Sequence, residues 1–294
     1  MEQNRRVAKE LAKVDAMFQR KIQVFLKSKG LQPPNPPNPL DDDAILVDYT
    51  TIAKSDYMQD GFIFGPTPRS PGLPYLHDSW IRIATSGAAV SDPIWSGLES
   101  ITEGTVANRS SVAKLPKSGR TLRTPTFELK HGSVSCLVEG QGHIVACVDS
   151  HRLVAGPLHK QTVTSIGARA GWVTMNLQRY VGHRLHLEFV PAKGVSLSVR
   201  LVTQGLDATG LLEIDRRLAV ADKKFDEYAQ SAEALLNGDA GQTVQRVFAD
   251  FETGTYEGWT VTGDAFGKIP QTLKTIASYQ GRINGVGTYF VNSH

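Results

Sequence analysis

The segment VDSHRL (148–153) brings Asp149, His151 and Arg152 together, and His159 follows eight residues after His151. If the strand continues through it, Asp149 and His151 share one face. Such a pair suits general base work or a metal site. Ser150 then points the other way, which argues against a nucleophile–His–Asp triad. The favoured reading is a polar binding or structural cluster, with Arg152 forked onto a hydroxyl pair or an anionic group; a surface ion pair is the competing role. Aromatic rings offer a second chemistry. Tyr75, Trp80 and Trp95 lie in the loop-rich stretch 66–110, where an exposed ring stacks on the CH face of a sugar. Their competing role is to plug one end of a sandwich. Carboxylates offer a third. Asp48, and Asp250 with Glu252, sit at corresponding strand starts. With Asp60 or Asp149 they are candidates for a structural Ca²⁺, which takes roughly six to eight oxygens. The alternative is a hydrogen-bonded turn aspartate. His183 and His186 fall on opposite faces of one strand and are assigned no site.

The elements that position these residues are marked by a repeat. ILVDYTTIAKSDYMQDGFIFGPTP (45–68) aligns without a gap on VFADFETGTYEGWTVTGDAFGKIP (247–270) at a shift of 202 (250 − 48). Asp48 falls on Asp250, Tyr49 on Phe251, Tyr57 on Trp259, Gly61 on Gly263, Phe64 on Phe266 and Gly65 on Gly267. One structural unit is therefore expected twice. Tyr57 and Trp259, at equivalent places, are expected to be structural.

Residues 1–29 read as an amphipathic helix with the stripe Val7, Leu11, Val14, Phe18, Ile22 and Phe25. Gly30 and the proline-rich linker 30–43 follow. Residues 44–205 carry short runs rich in β-branched and aromatic residues, among them ILVDY, FIFG, WIRIA, VSCLVEG and HRLHLEFVP. In the last of these Leu185, Leu187 and Phe189 face one way, His186 and Glu188 the other. Such strands need two stacked sheets, hence a β-sandwich of jelly-roll type. Trp172 is expected in its core. Residues 211–237 form a second helix with the heptad seam Ile214, Leu218, Ala221, Phe225, Tyr228, Ala232 and Leu235, expected to pair antiparallel with the first in a coiled-coil-like manner. Residues 246–294 restart the β pattern with room for three or four strands, so the chain reads as a fragment holding a truncated second sandwich. The fold class is thus mainly β with two flanking helices.

Composition narrows the function. Residues 1–29 hold eight Lys/Arg against three Asp/Glu, and the remainder 24 against 26. The globular part is not basic, so nucleic acid is not an expected partner. No run of about 18 apolar residues exists to span a membrane. The N-terminus lacks the apolar core of a signal peptide. A two-residue turn at Gln141-Gly142 sets Cys136 opposite Cys147, either as a disulfide or as two buried thiols. No CxxC or CxxCH motif is present, so neither a zinc ribbon nor covalent haem is expected in this segment.

GWVTMNLQRYVGHRLHLEF (171–189) resembles a segment of galactose-binding-like jelly rolls. DFETGTYEGWTVTGDAFG (250–267) is similar to the opening of sandwich domains in levanase-type glycosidases. The order of parts over 45–294, with CVDSHRLVAGPLH (147–159) as its most specific stretch, resembles the middle region of large planctomycete-type cytochrome c proteins that carry domains of unknown function. That resemblance implies an exported protein, extracellular or periplasmic, that binds or acts on complex polysaccharides. It places the haem motif elsewhere in such a chain.

The expected function is a non-catalytic carbohydrate-binding-like module of an exported multidomain protein. A polysaccharide or glycan and the other domains of the parent chain are its partners. The alternative is a scaffold that spaces other domains. A third reading is a hydrolase using Asp149 and His151. Exposure of Tyr75, Trp80 and Trp95 on one surface beside Arg152 favours the binder; burial of all three favours the scaffold.

Overall fold

The computed structural model describes residues 2–37, 40, 42–98, 120–150, 160–168, 171–192, 194–238, 251, 253–256, 260–264, 266–272 and 288–291. The chain divides into two compact units, Met1–Gly238 and Asp239–His294.

The first unit is built on two antiparallel sheets. One runs β1 (Ile45–Asp48), β13 (Leu197–Gln204), β8 (Ser133–Gly140), β11 (Gly171–Asn176), with β5 (Ala89–Val90) also on β13. The other runs β10 (Val163–Ile166), β9 (Gly142–Val148), β12 (Arg184–Pro191), β6 (Arg120–Arg123), β2 (Met58–Gly61), with β7 (Phe127–Glu128) also on β12. The antiparallel pairs β1·β13, β6·β12, β8·β11 and β9·β10 are nested one inside the next along the chain. That nesting, split over two sheets, is the jelly roll expected from the strand pattern. Between the sheets lie Leu122, Cys136, Ile144, Ala146, Leu185, Leu187, Phe189, Val199 and their neighbours, nearly all fully buried. Phe62–Phe64, expected as a strand, follow β2 instead as a turn whose Ile63 and Phe64 plug the core.

Gln141 is not a hairpin turn. It carries the chain from β8 in one sheet to β9 in the other. A Cβ on Gly140 (φ +108°) would lie 2.1 Å from the Ser196 carbonyl oxygen, and one on Gly142 would lie 2.3 Å from that of Val190. The crossover thus needs glycine on both sides. It also separates the cysteines. Cys136 faces the core, Cys147 pairs with His186 on β12, and no disulfide joins them.

Helix α1 (Glu2–Ser28) ends at Gly30 (φ +81°), where the Gly30 and Leu31 N–H groups bond the Lys27 and Leu26 carbonyls in a Schellman cap. Its buried side carries Ala8, Leu11, Ala12, Ile22 and Leu26. The expected stripe is turned by part of a helical turn, so that Val7, Val14 and Phe25 are exposed. Helix α2 (Ala208–Asn237) is capped by Asp207, which accepts the Gly210 N–H, and stops at Gly238.

The two helices do not pair along their lengths as a coiled coil. Ile214 and Leu218 of α2 pack on Leu201, with Leu137 and Trp172 beside them, on the outer side of the first sheet. Trp172 therefore lies in this outer layer rather than between the sheets. The register of β13 shifts between Val199 and Leu201. Such a bulge turns two successive side chains toward one side. Arg200 and Leu201 accordingly both meet α2: the Arg200 guanidinium donates to both Asp222 oxygens at 2.5 and 2.7 Å, and Leu201 touches Ile214 and Leu218. Asp215 accepts the Trp172 indole N–H at 2.9 Å. Among the described residues the helices meet near their C-terminal ends, where Ile22 and Leu26 join Tyr228, Ala229 and Ala232 around Ile83.

Ile83 belongs to a hairpin of β3 (Pro74–His77) and β4 (Trp80–Ile83). Its turn residues Asp78 (φ +46°) and Ser79 (φ +66°) both take the left-handed conformation of a type I′ turn, whose twist matches that of the strands. The free edge of β4 is taken up by α2. Asn237 bonds both the N–H and the carbonyl of Ile81, and Glu233 accepts the Ile83 N–H at 2.8 Å.

In the second unit the described residues form one short ladder, β14 (Gln271–Thr272) against β15 (Tyr289–Phe290). The paired glycines of the repeated phrase nevertheless keep their left-handed conformation. Gly61 and Gly263 have φ +95° and +80°, and Gly65 and Gly267 +70° and +68°. Gly65 donates to the Phe62 carbonyl, and Gly267 to the equivalent Asp264 carbonyl. In each copy a tyrosine hydroxyl caps the equivalent phenylalanine carbonyl: Tyr57 on Phe64 at 2.7 Å, Tyr256 on Phe266 at 2.6 Å.

The Arg200–Asp222 pair is mostly enclosed, and truncating one partner leaves the other unpaired. Asp222→Ala is expected to destabilise the first unit by about 2–3 kcal/mol. Urea unfolding followed by circular dichroism should show a lower midpoint. An unchanged midpoint would mean that the pair does not hold α2 in place.

Candidate functional site

The hairpin carries two of the three aromatic residues proposed from sequence. Strand alternation places Tyr75, His77, Trp80 and Arg82 on one face, opposite Ile81 and the buried Pro74 and Ile83. Trp80 is 41% exposed, and His77 and Arg82 are exposed as well. Tyr75 is half-buried because the Arg69 guanidinium stacks 3.8 Å from its ring centre. Arg69 is held in turn by Asp92 at 2.5 Å, and Asp92 also accepts the Ile94 N–H. Arg82 pairs with Glu233 at 2.9 Å. The result is a polar and aromatic strip whose back is fixed by both helices.

Trp95 does not join it. It lies on the 3₁₀ turn Pro93–Leu98, 5% exposed, packed with Leu98, Phe62 and the Ala8–Ala12 side of α1. Its ring nitrogen sits 3.2 Å from the place a Cβ on Gly65 would occupy. Trp95 is a core residue, and its expected role as a stacking platform is corrected: α1, read from sequence as the partner of another helix, covers it.

Strand β9 ends at Val148, and Asp149 (φ +47°) and Ser150 (φ +66°) turn away in left-handed conformation. Asp149 therefore does not continue the strand on which it was expected to share a face with His151. Asp149 instead closes the start of β12. Its carboxylate meets the His183 ring nitrogen at 2.6 Å and accepts the Arg184 N–H at 3.2 Å, and its own N–H donates to the Arg184 carbonyl. Among the described residues, His183, given no site from sequence, is the histidine that Asp149 engages. His151, Arg152 and His159 lie outside the described residues. So do Asp250 and Glu252. Asp48 accepts the Thr50 N–H at 2.8 Å in the turn after β1, the geometry of a hydrogen-bonded turn aspartate.

A cluster that the sequence reading missed lies on the outer face of the second sheet. Cys147 faces His186 across β9 and β12, and Glu188 faces Arg123 across β12 and β6. His186 and Glu188 are two residues apart and share a side. Cys147 is 2% and His186 6% exposed. Val145 and Val190, buried on the same outward side, make the surroundings apolar. The Arg123 guanidinium donates to His186 Nε2 at 2.9 Å and lies 3.9 Å from the Glu188 carboxylate. Because arginine only donates, Nε2 is the accepting nitrogen and the neutral ring keeps its proton on Nδ1. Among the described residues this is the one group of three or more side chains whose ligand atoms lie close enough to hold a metal. The outward facing of His186 and Glu188 was legible from alternation; the position of Cys147 depended on the β9–β12 pairing. Cys136, by contrast, is fully buried among apolar groups that push its thiol pKa far up and keep it protonated.

No family model, no curated protein and no solved structure matches the chain. Its own geometry defines the class: a jelly-roll β-sandwich with a helix laid along one sheet and a hairpin projecting beneath that helix.

Asp15 of α1 feels Asp92 and Arg69. Burial first, and then the Asp92 charge, raise its pKa above the ordinary carboxylate range, partly offset by Arg69. A raised carboxylate favours folding while it is protonated, and that contribution is lost as pH rises through its folded-state pKa. Asp15→Asn is therefore expected to raise the thermal midpoint at pH 7, with the gain vanishing near pH 3. A gain of equal size at both values would contradict this electrostatic account.

Proposed function

We propose that the chain is a non-catalytic carbohydrate-binding module and that the outward face of the β3–β4 hairpin receives the sugar. The observation that carries this reading is the grouping of Trp80 and Tyr75 with His77 and Arg82 on one supported face. Pyranose rings bury their CH faces on exposed indole and phenol rings, while guanidinium and imidazole groups fix the hydroxyls. Arg69 stacked on Tyr75 and held by Asp92 orders one end of the strip before any ligand arrives, which lowers the cost of binding. The partner class is a polysaccharide or glycan, and the setting is an exported multidomain protein, extracellular or periplasmic.

A second reading, a scaffold that packs against other domains, rests on a different observation. Val7, Val14, Met17, Val24 and Phe25 are all exposed on α1. No helix among the described residues is long and apolar enough to cross a membrane.

A glycan-array screen with and without Ca²⁺, followed by calorimetry on any hit, tests the first reading. Trp80→Ala should weaken binding about tenfold, equivalent to roughly 1.4 kcal/mol, and leave the fold intact. Trp95→Ala should instead cost about 3–5 kcal/mol of stability. Absence of any bound glycan would sink the proposal, as would binding that is indifferent to Trp80.

A further inference from the structure

We propose that Cys147, His186 and Glu188 form a binding site for a divalent transition metal of the zinc class, in which the ion exchanges places with the Arg123 guanidinium. The three ligand atoms lie within 4.8 Å of one another, and His186 Nε2 stands 3.6 Å from the Glu188 carboxylate. Metal–ligand bonds of about 2.0–2.3 Å at tetrahedral angles separate neighbouring ligands by roughly 3.3–3.7 Å, so small rotamer changes close the set. The donors are one sulfur, one nitrogen and one oxygen. A thiolate beside an imidazole selects Zn²⁺ or Co²⁺ and disfavours Ca²⁺ and Mg²⁺, which prefer oxygen alone.

Charge and burial support the same assignment. A thiolate and a carboxylate neutralise a divalent ion, which makes a charge-balanced site in apolar surroundings bounded by Val145 and Val190. Two of the ligands face each other across neighbouring strands and the third lies two residues along, so the framework is rigid. Arg123 is the competitor. Its guanidinium donates to Nε2, the ring nitrogen nearest Glu188, and lies close to that carboxylate. It occupies with a fixed positive charge the place a metal would take. Its side chain is 44% exposed, so it can leave for solvent. Three ligands come from the described residues; tetrahedral zinc takes a fourth, supplied by water or another group. This assignment is independent of the carbohydrate reading.

The test is a titration of the purified, untagged, metal-free chain with CoCl₂ and then ZnCl₂. Cobalt should give tetrahedral visible bands and a near-ultraviolet sulfur-to-cobalt charge-transfer band, both removed by zinc and neither affected by excess MgCl₂ or CaCl₂. Cys147→Ser should abolish the charge-transfer band and weaken zinc binding about tenfold or more, while far-ultraviolet circular dichroism shows the fold retained. Arg123→Met should tighten zinc binding by removing the competitor. Lack of a sulfur-to-cobalt band in the folded parent chain would overturn the site, and so would a band that survives in Cys147→Ser. Zinc binding unchanged or weaker in Arg123→Met would overturn the exchange with arginine.

Discussion

The Arg200–Asp222 pair and the bulge that creates it govern how the first unit is finished. A regular β13 would send Arg200 and Leu201 to opposite faces. The register shift turns both outward, one to hold Asp222 with two hydrogen bonds and the other to receive Ile214 and Leu218. Burial of that apolar contact and the paired charge fixes α2 along the sheet. Once fixed, α2 brings Glu233 and Asn237 to the unpaired edge of β4, and the hairpin is held by groups that stand in for a neighbouring strand. An exposed two-stranded ribbon is marginal by itself and prone to pair with other chains. Here its edge is satisfied and its back is covered around Ile83 by Leu26, Tyr228 and Ala232, while the Tyr75–Trp80 face stays open to solvent.

The repeat explains a different part of the molecule. Its aligned glycines take left-handed conformation in both units, and the same turn hydrogen bond recurs at equivalent positions. The tyrosine cap on the equivalent phenylalanine carbonyl recurs as well, although Tyr256 stands three residues before the position aligned with Tyr57. What was duplicated is a corner: a turn, an aromatic pair and a hydroxyl bonded to the equivalent phenylalanine carbonyl. None of these groups carries a reaction, and the site proposed lies outside the repeat, on the hairpin inserted after the first copy.

Much of the sandwich was legible because period-two alternation survives in its strands; Leu185, Leu187 and Phe189 point inward and His186 and Glu188 outward as read. Other features were not. A glycine on either side of Gln141 serves a hairpin and a sheet-to-sheet crossover equally well, and only the approach of the Ser196 and Val190 carbonyls decides between them. That choice moved Cys147 from beside Cys136 to beside His186. The buried side of α1 includes Ala8, which carries little hydrophobic signal, and it also presents Asp15, so Val7, Val14 and Phe25 were read as the core face. The heptad seam of α2 specifies an apolar partner without saying whether it is a helix or a sheet, and the bulge in β13 supplied the sheet. Trp95 was misread for the same reason: its cover comes from α1, more than eighty residues away in sequence.

The hairpin face as the place of sugar contact is the central claim, and its most direct test is the response of individual indole groups. In ¹H–¹⁵N spectra recorded during titration with a glycan that the chain binds, the Trp80 indole signal should move with ligand concentration. The Trp95 indole, buried under α1, and the Trp172 indole, donated to Asp215, should stay in place. A saturating glycan that leaves the Trp80 signal unmoved would contradict the account.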